Sequence, residues 1–511
     1  MSRAINIGVW AGVFGVFIIV LFGGQSVLAA GLICGLLAGL LAGARTEGET
    51  MQAGVRDGLI SGAVAGVILI VSNILRNTFI TTLVGQNLPS TGEVLSFGIA
   101  GAAISMVLGA ALGAAHFLPG RRSSYATWAI LGLVILIYPF LDYSIQLGWL
   151  GIVITGLIFI LLALGLNIVV GYAGLLDLGY AAFFAIGAYT AAFLSSSYIG
   201  DQLNFANPRV SFWLVIFIAA AMAGLFGLIL GAPTLPLRGD YLAIVTLGFG
   251  EIVPIVFRNL DTFGITIFGH EFIKTFNLTG GELGISPIDP PKLPGLNFAD
   301  RSDQRPWYFL LVLIILFSIF LINRLRGSRL GRAWMAMRED ELAASSMGIN
   351  IVRTKLLAFA MGASFSGFGG AYFGAFVGGA FPSSFDFSVS VIVLCMVILG
   401  GLGNIPGVIV GGLIIELSDR LFLPQITLLL QSIAQHNANN PSLSGLQRFD
   451  PTLYRTGLFG LVLVLMMQLR PEGLLPNARR KLELHADQAS PGEAAQSQTD
   501  LYDVETEAAS S

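Results

Sequence analysis

Three side chains capable of polar chemistry stand inside stretches otherwise built of apolar residues: Asn167, Asp177 and Glu251. A charge placed in lipid costs about 2.5–3.5 kcal/mol on insertion scales, so such groups turn to protein or water and mark routes for polar solutes. Glu251 lies in Gly248-Phe-Gly-Glu-Ile, with Pro254 close behind, a composition that can open a helix and expose carbonyls to a polar cavity. One reading makes it a pathway carboxylate that attracts a substrate ammonium or gates a channel. The other, which intramembrane polar groups favour in general, has it reach an interface or bond a neighbouring helix. For Asp177 the first reading is a cap at a helix N-terminus near the inner membrane boundary. A pathway role is the second.

Other chemistry is missing from the sequence. No Gly-x-x-x-x-Gly-Lys-[Ser/Thr] run occurs, so the chain has no P-loop with which to hydrolyse ATP itself. The four histidines (His116, His270, His436 and His485) are scattered without ligand spacing, and Cys34 and Cys395 sit in apolar runs. No catalytic residue, cofactor or metal is expected, and the chain does not read as an enzyme. If ATP supplies energy, another subunit must hydrolyse it.

One polar stretch, Arg324–Lys355, separates two apolar runs and holds seven basic and three acidic residues. Good helix formers fill Ala333–Met347, which predicts one helix with Trp334, Met337, Glu341, Ala344 and Ser345 on a single face. Gly348 follows as the residue that lets the chain leave in the left-handed conformation. A solvated basic loop beside anionic lipid is the plain reading of such a stretch. The aromatic and methionine side chains suit a sharper one, a helix that docks in a socket of a partner ATPase. Its coupling residues would be Arg332, Trp334, Met337, Arg338, Glu341, Ala344 and Gly348.

These groups need a scaffold that lipid can hold. Of 511 residues, 55% are apolar and 11% charged, and mean hydropathy is +0.80. A soluble domain carries about 25% charge, so the chain cannot cover several water-soluble globules. The composition predicts an all-α polytopic integral membrane protein with about 12–14 transmembrane segments, including broken or re-entrant helices. Its 64 glycines suit close helix packing in lipid. The net charge of −3 gives no reason to expect nucleic acid.

Candidate spans run from Ile5–Phe22 and Val27–Ala44 to Leu453–Leu469; the first reads as a retained helix, not a removed signal peptide. Val389–Leu421 is interrupted by Gly400-Gly401-Leu402-Gly403-Asn404-Ile405-Pro406-Gly407 and reads as two short helices meeting at a turn. With both termini cytoplasmic, the inner segments hold 17 Lys and Arg against 8 outside, as the positive-inside rule requires. Residues 1–120 form a glycine-rich transmembrane extension with no assigned role. Residues 126–480 form the main membrane domain. Residues 482–511 carry seven acidic and no basic residues and read as a disordered cytoplasmic tail.

Several long motifs, in order, resemble the branched-chain amino-acid ABC transporter permease family, LivM type. They are Leu166-Asn-Ile-Val-Val-Gly-Tyr-Ala-Gly-Leu-Leu-Asp-Leu-Gly-Tyr180 continuing to Tyr189, Leu237-Arg-Gly-Asp-Tyr241 continuing to Ile252, and Ser328-Arg-Leu-Gly-Arg-Ala-Trp334 continuing to Glu341. Thr279-Gly-Gly281 with Gly284-Ile285, Leu399-Gly-Gly-Leu-Gly403 and Arg470-Pro-Glu-Gly-Leu-Leu475 add to them. Glu341–Gly348 is similar to the EAA loop of ABC permeases, with the glutamate one residue early. The resemblance implies an importer in the inner membrane. It would comprise this chain, a LivH-like second permease subunit, two ATP-binding subunits and an external solute-binding protein. Urea-type permeases share much of the pattern, so a urea or amide solute stays open. An ion-coupled secondary transporter and a non-transporting scaffold are the readings from other classes.

Overall fold

Lipid offers no hydrogen bonds to bare N–H and C=O groups, so apolar runs in it must coil. The computed structural model describes residues 6–9, 11–12, 34, 51–84, 91–116, 121–145, 148–198, 210–234, 240–261, 263–267, 270–436, 450–470 and 472–475. In chain order the first helices are α1 (Met51–Val84), α2 (Thr91–His116), α3 (Arg121–Ile145) and α4 (Leu150–Leu166), the last continued by a π-helical turn at Asn167–Tyr172. Then come α5 (Tyr180–Ser195), α6 (Phe212–Thr234) and α7 (Asp240–Asn259). A hairpin of β1 (Phe263–Ile267) and β2 (His270–Phe276) precedes α8 (Arg305–Arg326), α9 (Arg329–Glu339), α10 (Glu341–Ser346) and α11 (Ile351–Val377). The chain closes with α12 (Phe387–Gly400), α13 (Ile405–Leu417), α14 (Leu423–His436) and α15 (Arg455–Leu469).

The fold is all-α and polytopic, as expected, with that antiparallel hairpin as a small addition. Among the described residues eight helices are long and apolar enough to cross a membrane, and three more are apolar but shorter. Of the expected spans, Ile5–Phe22 and Val27–Ala44 lie almost wholly outside the described residues, as does the tail at 482–511. The interrupted segment is two helices, α12 and α13, joined by a turn at residues 401–404. The span expected from Leu175 starts only at Tyr180, because Gly174 takes a positive φ of 72° and Asp177 binds the Gly179 N–H, holding a turn where a helix would run.

Two compact units are present, one formed by Met1–Leu150 with Asp419–Leu453 and the other by Gly151–Ser418 with Tyr454–Ser511. In the first, α1 and α2 approach through small residues: Gly58 faces Gly109, Gly62 faces Ser105 and Gly66 faces Ala102. The Ser105 hydroxyl donates to the Gly62 carbonyl at 3.2 Å. In the second, α11 runs through the centre against α5 and α6. Its glycine-crowded face is a packing surface: Gly367 lies on Ala219, Ala220 and Ala223, while Gly370 lies on Phe184 and Ala188. Tyr180 reaches across from α5 and donates to the Gly362 carbonyl at 2.8 Å.

A Cβ at Gly370 would fall against the Phe184 carbonyl and within 2.7 Å of the Ala188 amide nitrogen. Gly370→Val is expected to destabilise the protein by about 1–3 kcal/mol through overpacking. Gly457→Ala, where nothing lies within 4 Å of the new carbon, should not. Thermal unfolding of the detergent-solubilised chain distinguishes the two.

Candidate functional site

Asn167 and Arg338 meet where regular structure stops in the main membrane unit. Asn167, fully buried, opens the π-helical turn, and its Oδ1 accepts the Gly403 N–H at 2.9 Å. The wider helix carries through the next residues, with Ala173 N–H bonded to the Ile168 carbonyl at 3.1 Å and Leu175 N–H to Val169 at 3.0 Å. Gly171 is required here, since a Cβ would strike the Asn167 amide and lie 2.7 Å from the Gly403 nitrogen. The turn after α12 is held from the other side by the segment after α15. Leu474 and Leu475 N–H groups donate to the carbonyls of Leu399 and Gly400 at 2.8 and 3.2 Å, and Asn404 Nδ2 donates to the Leu475 carbonyl at 2.7 Å. The motifs at 166–172, 399–403 and 470–475, far apart in sequence, thus form one knot of backbone and amide contacts.

Arg338 joins the same knot. From α9 its Nη1 donates to the Gly171 carbonyl at 2.6 Å, and its methylenes lie on Gly174, whose missing side chain leaves room for them. A residue expected to reach outward to a partner therefore reaches inward.

The single helix expected over Ala333–Met347 is two. Asp340 is extended, with φ −155° and ψ 114°, and its carboxylate accepts the Leu342 and Ala343 N–H groups at 2.7 and 3.1 Å. That capping ends α9 and starts α10, because a short carboxylate competes with the helical carbonyls for the same donors. The break divides the predicted face. Trp334 and Met337 are buried in the chain itself, Trp334 donating from Nε1 to the Thr354 carbonyl at 2.9 Å, so they do not fill a partner's socket. Ala344 is buried as well, and Ser345 is exposed. Glu341 pairs with Lys355 at 2.6 Å, seating α10 on the first turn of α11. The pairing was not legible in advance, since Lys355 counted only as one more loop cation. Arg332 is exposed and bonds back to the Gly327 carbonyl at 2.8 Å. Gly348 has φ +86° and ends α10 as expected. What remains bare is a crest of Leu342, Met347 and Val352, exposed by 68%, 84% and 50%.

Asp177 and Glu251 lie apart. Asp177 is 1% exposed, in the turn before α5, where its Oδ1 accepts the Gly179 N–H at 2.9 Å. That turn leans on α7 through Leu178 N–H to Thr246 Oγ1, 3.0 Å. Thr246 was missed in the sequence because a lone threonine in an apolar run carries no signal. Glu251 is exposed in the middle of α7, on a face with Ile244, Gly248, Ile252 and Ile255, and no hydrogen bond or ion pair reaches it among the described residues. At the other end of α7, Arg258 pairs with Asp386 at 3.2 Å, and Thr279 donates to the Phe257 carbonyl at 2.7 Å. These contacts fasten the long loop after the hairpin to the ends of the membrane helices.

A model of the family described as branched-chain amino acid transport system, permease component, matches residues 148–467. The chain is 38% identical over 362 residues to the high-affinity branched-chain amino acid transport system permease protein LivM of Escherichia coli K12, covering 67% of this chain and 73% of that one. It is 26% identical to the probable branched-chain amino acid transport permease protein LivM of Methanocaldococcus jannaschii over 65% of this chain and 93% of that one. It is 25% identical to the permease protein LivH of Salmonella typhimurium over 53% of this chain and 83% of that one. No solved structure matches.

Glu341→Gln leaves the Lys355 ammonium, whose side chain is 5% exposed, without its counter-charge. A loss of about 1–3 kcal/mol is expected from that unpaired buried cation. The double variant Glu341→Gln, Lys355→Met should recover most of it. Unfolding midpoints of the wild type, both single variants and the double variant measure the coupling.

Proposed function

This chain belongs to the family of branched-chain amino acid transport system permease components, and from that premise we propose how it is powered and where its solute passes. It is a multi-pass membrane protein, a permease subunit of an ABC importer for branched-chain amino acids, working as one of a permease pair. In the proposed assembly a LivH-like second permease subunit completes the pathway, and an external solute-binding protein delivers the amino acid. Two ATP-binding subunits act on the inner side. Both termini are cytoplasmic, and so is the excursion between α8 and α11.

The observation that carries the powering scheme is the exposure of the crest at Leu342, Met347 and Val352 over an inner face that is locked. Apolar tips on a short polar excursion fit a socket in another protein. The Glu341–Lys355 pair and the Trp334 anchor hold the base. Closure of the ATP-binding subunits would press on this crest. Arg338 would carry the displacement to the Gly171 carbonyl and so to the turn that Asn167 holds. Arg338 and Asn167 act in this scheme as positioning residues.

Glu251 supplies the second element. A carboxylate turned to lipid costs about 2.5–3.5 kcal/mol, so the bare face of α7 must meet something polar. We assign that face to the second permease subunit across the solute pathway, with Glu251 attracting the ammonium end of the amino acid.

The scheme yields two expected outcomes. Leu342→Asp with Met347→Asp should abolish co-purification of the ATP-binding subunits and uptake of leucine, while the unfolding temperature of the isolated chain stays at the wild-type value. Retained assembly with uptake intact would assign the crest to the lipid surface. Glu251→Gln should lower the uptake rate about tenfold, the effect of losing roughly 1.4 kcal/mol from one charge-assisted contact. Wild-type kinetics from that variant would remove the carboxylate from the pathway.

A further inference from the structure

Helix α8 carries a stripe of side chains that the rest of the chain leaves bare. Leu313, Leu316, Phe317 and Phe320 are exposed, while Leu311, Ile315 and Ile322 are buried on the opposite side. Steps of three and four residues keep the first four on one face, and one more step of four reaches Arg324. Its guanidinium carbon lies 5.6 Å from the centre of the Phe320 ring, within cation–π range. An apolar stripe along a span thus ends on a cation in the last turn.

The chain then passes Gly327 and adds two more cations. Arg329 opens α9, and Arg332 follows three residues on, on the same side of that helix. Arg332 Nη1 donates to the Gly327 carbonyl at 2.8 Å, which folds it back against the end of α8. All three arginines are exposed, and none pairs with a carboxylate among the described residues. From Arg305 to Arg338 the sequence holds no acidic residue. The helix dipole accounts for Arg324, which stands at a C-terminus, but disfavours Arg329, which stands at an N-terminus. The cluster therefore calls for an anion from outside the chain.

A ligand that fits both halves is amphiphilic and negative. Acyl chains match the stripe, and a phosphodiester matches guanidinium groups, which offer it paired N–H donors. We propose that this end of α8 is a binding site for an anionic phospholipid, with its acyl chains along the stripe and its headgroup held by Arg324, Arg329 and Arg332. The lipid would brace the junction of α8 and α9, the helix from which Trp334 and Arg338 reach into the chain. Placing the lipid in the inner leaflet rests on the cytoplasmic excursion proposed above; the preference for a negative headgroup does not. A basic side chain at an anionic surface contributes about fivefold in affinity, the equivalent of about 1 kcal/mol.

The test is photolabelling of the complete transporter, in detergent micelles, with phosphatidylglycerol that carries a photoactivatable group on one acyl chain. Labelled peptides are located by mass spectrometry. Saturable labelling is expected within residues 313–320, and unlabelled phosphatidylglycerol should compete at least tenfold better than phosphatidylcholine of the same chains. Arg324→Gln with Arg329→Gln should weaken binding about 25-fold, two fivefold losses. Arg324→Lys with Arg329→Lys, which keeps the charge, should restore most of it. The ATP-binding subunits should co-purify with every variant. Equal competition by phosphatidylcholine overturns the proposal, and so does undiminished labelling of the glutamine variant. Loss of the ATP-binding subunits from that variant with labelling intact would assign the arginines to those subunits instead. If the glutamine variant does not assemble, salt decides in the wild type. Raising ionic strength from about 0.1 M to about 1 M cuts the screening length from about 10 Å to about 3 Å and should erase the headgroup preference; a preference that survives overturns the site. Modification of Gly327→Cys by an impermeant maleimide in intact cells would strike the cytoplasmic placement and not the lipid preference.

Discussion

The chain's irregular segments sit at the ends of apolar helices, where stray backbone groups have little water to satisfy them. The π-helical turn at Asn167–Tyr172 and the loop at 401–404 exist because each completes the other: the Asn167 amide takes the Gly403 N–H, and Arg338 takes the Gly171 carbonyl. Remove either partner and the other segment holds a polar group with nowhere to turn. Two breaks, at Asn167–Tyr172 and at 401–404, meet in one place for this reason, and Arg338 from α9 reaches the same place.

Glycine makes that concentration geometrically possible. At Gly171 and Gly174 the absent Cβ leaves room for the Asn167 amide and for the Arg338 methylenes. On α11 the same absence lets α5 and α6 come close enough for main chain to touch main chain. Small residues therefore serve two ends in one unit. They bring helices together where packing holds the bundle, and they admit polar side chains where the bundle is interrupted.

Much of this was legible in the sequence, and the parts that were not have physical reasons. The interrupted helix pair announced itself through Gly400–Gly407, because such a glycine density with a proline cannot continue a helix. Gly348 as the exit from α10 followed from its position after a run of helix formers. The break at Asp340 did not, because Asp340 lies among good helix formers and its decision to bind Leu342 and Ala343 depends on the anchors at either side. Trp334 was read as a docking group from type alone; burial against Thr354 is a tertiary fact that periodicity cannot carry. Asp177 was read as a helix cap, but the N-cap of α5 is Gly179 and no side chain caps it; Asp177 instead closes the turn before the helix on the Gly179 N–H, a distinction that residue type alone does not carry.

The Asp340 break has a mechanical consequence. The two leaves on either side of it share one anchor, the first turn of α11, which α9 reaches through Trp334 and α10 through Glu341, while α9 alone also reaches the π-helical turn through Arg338. The bend at Asp340 is what lets Trp334 and Glu341, on different leaves, reach neighbouring residues Thr354 and Lys355. The base of the central helix is thereby clasped twice, and through Arg338 the same clasp extends to the turn that Asn167 holds.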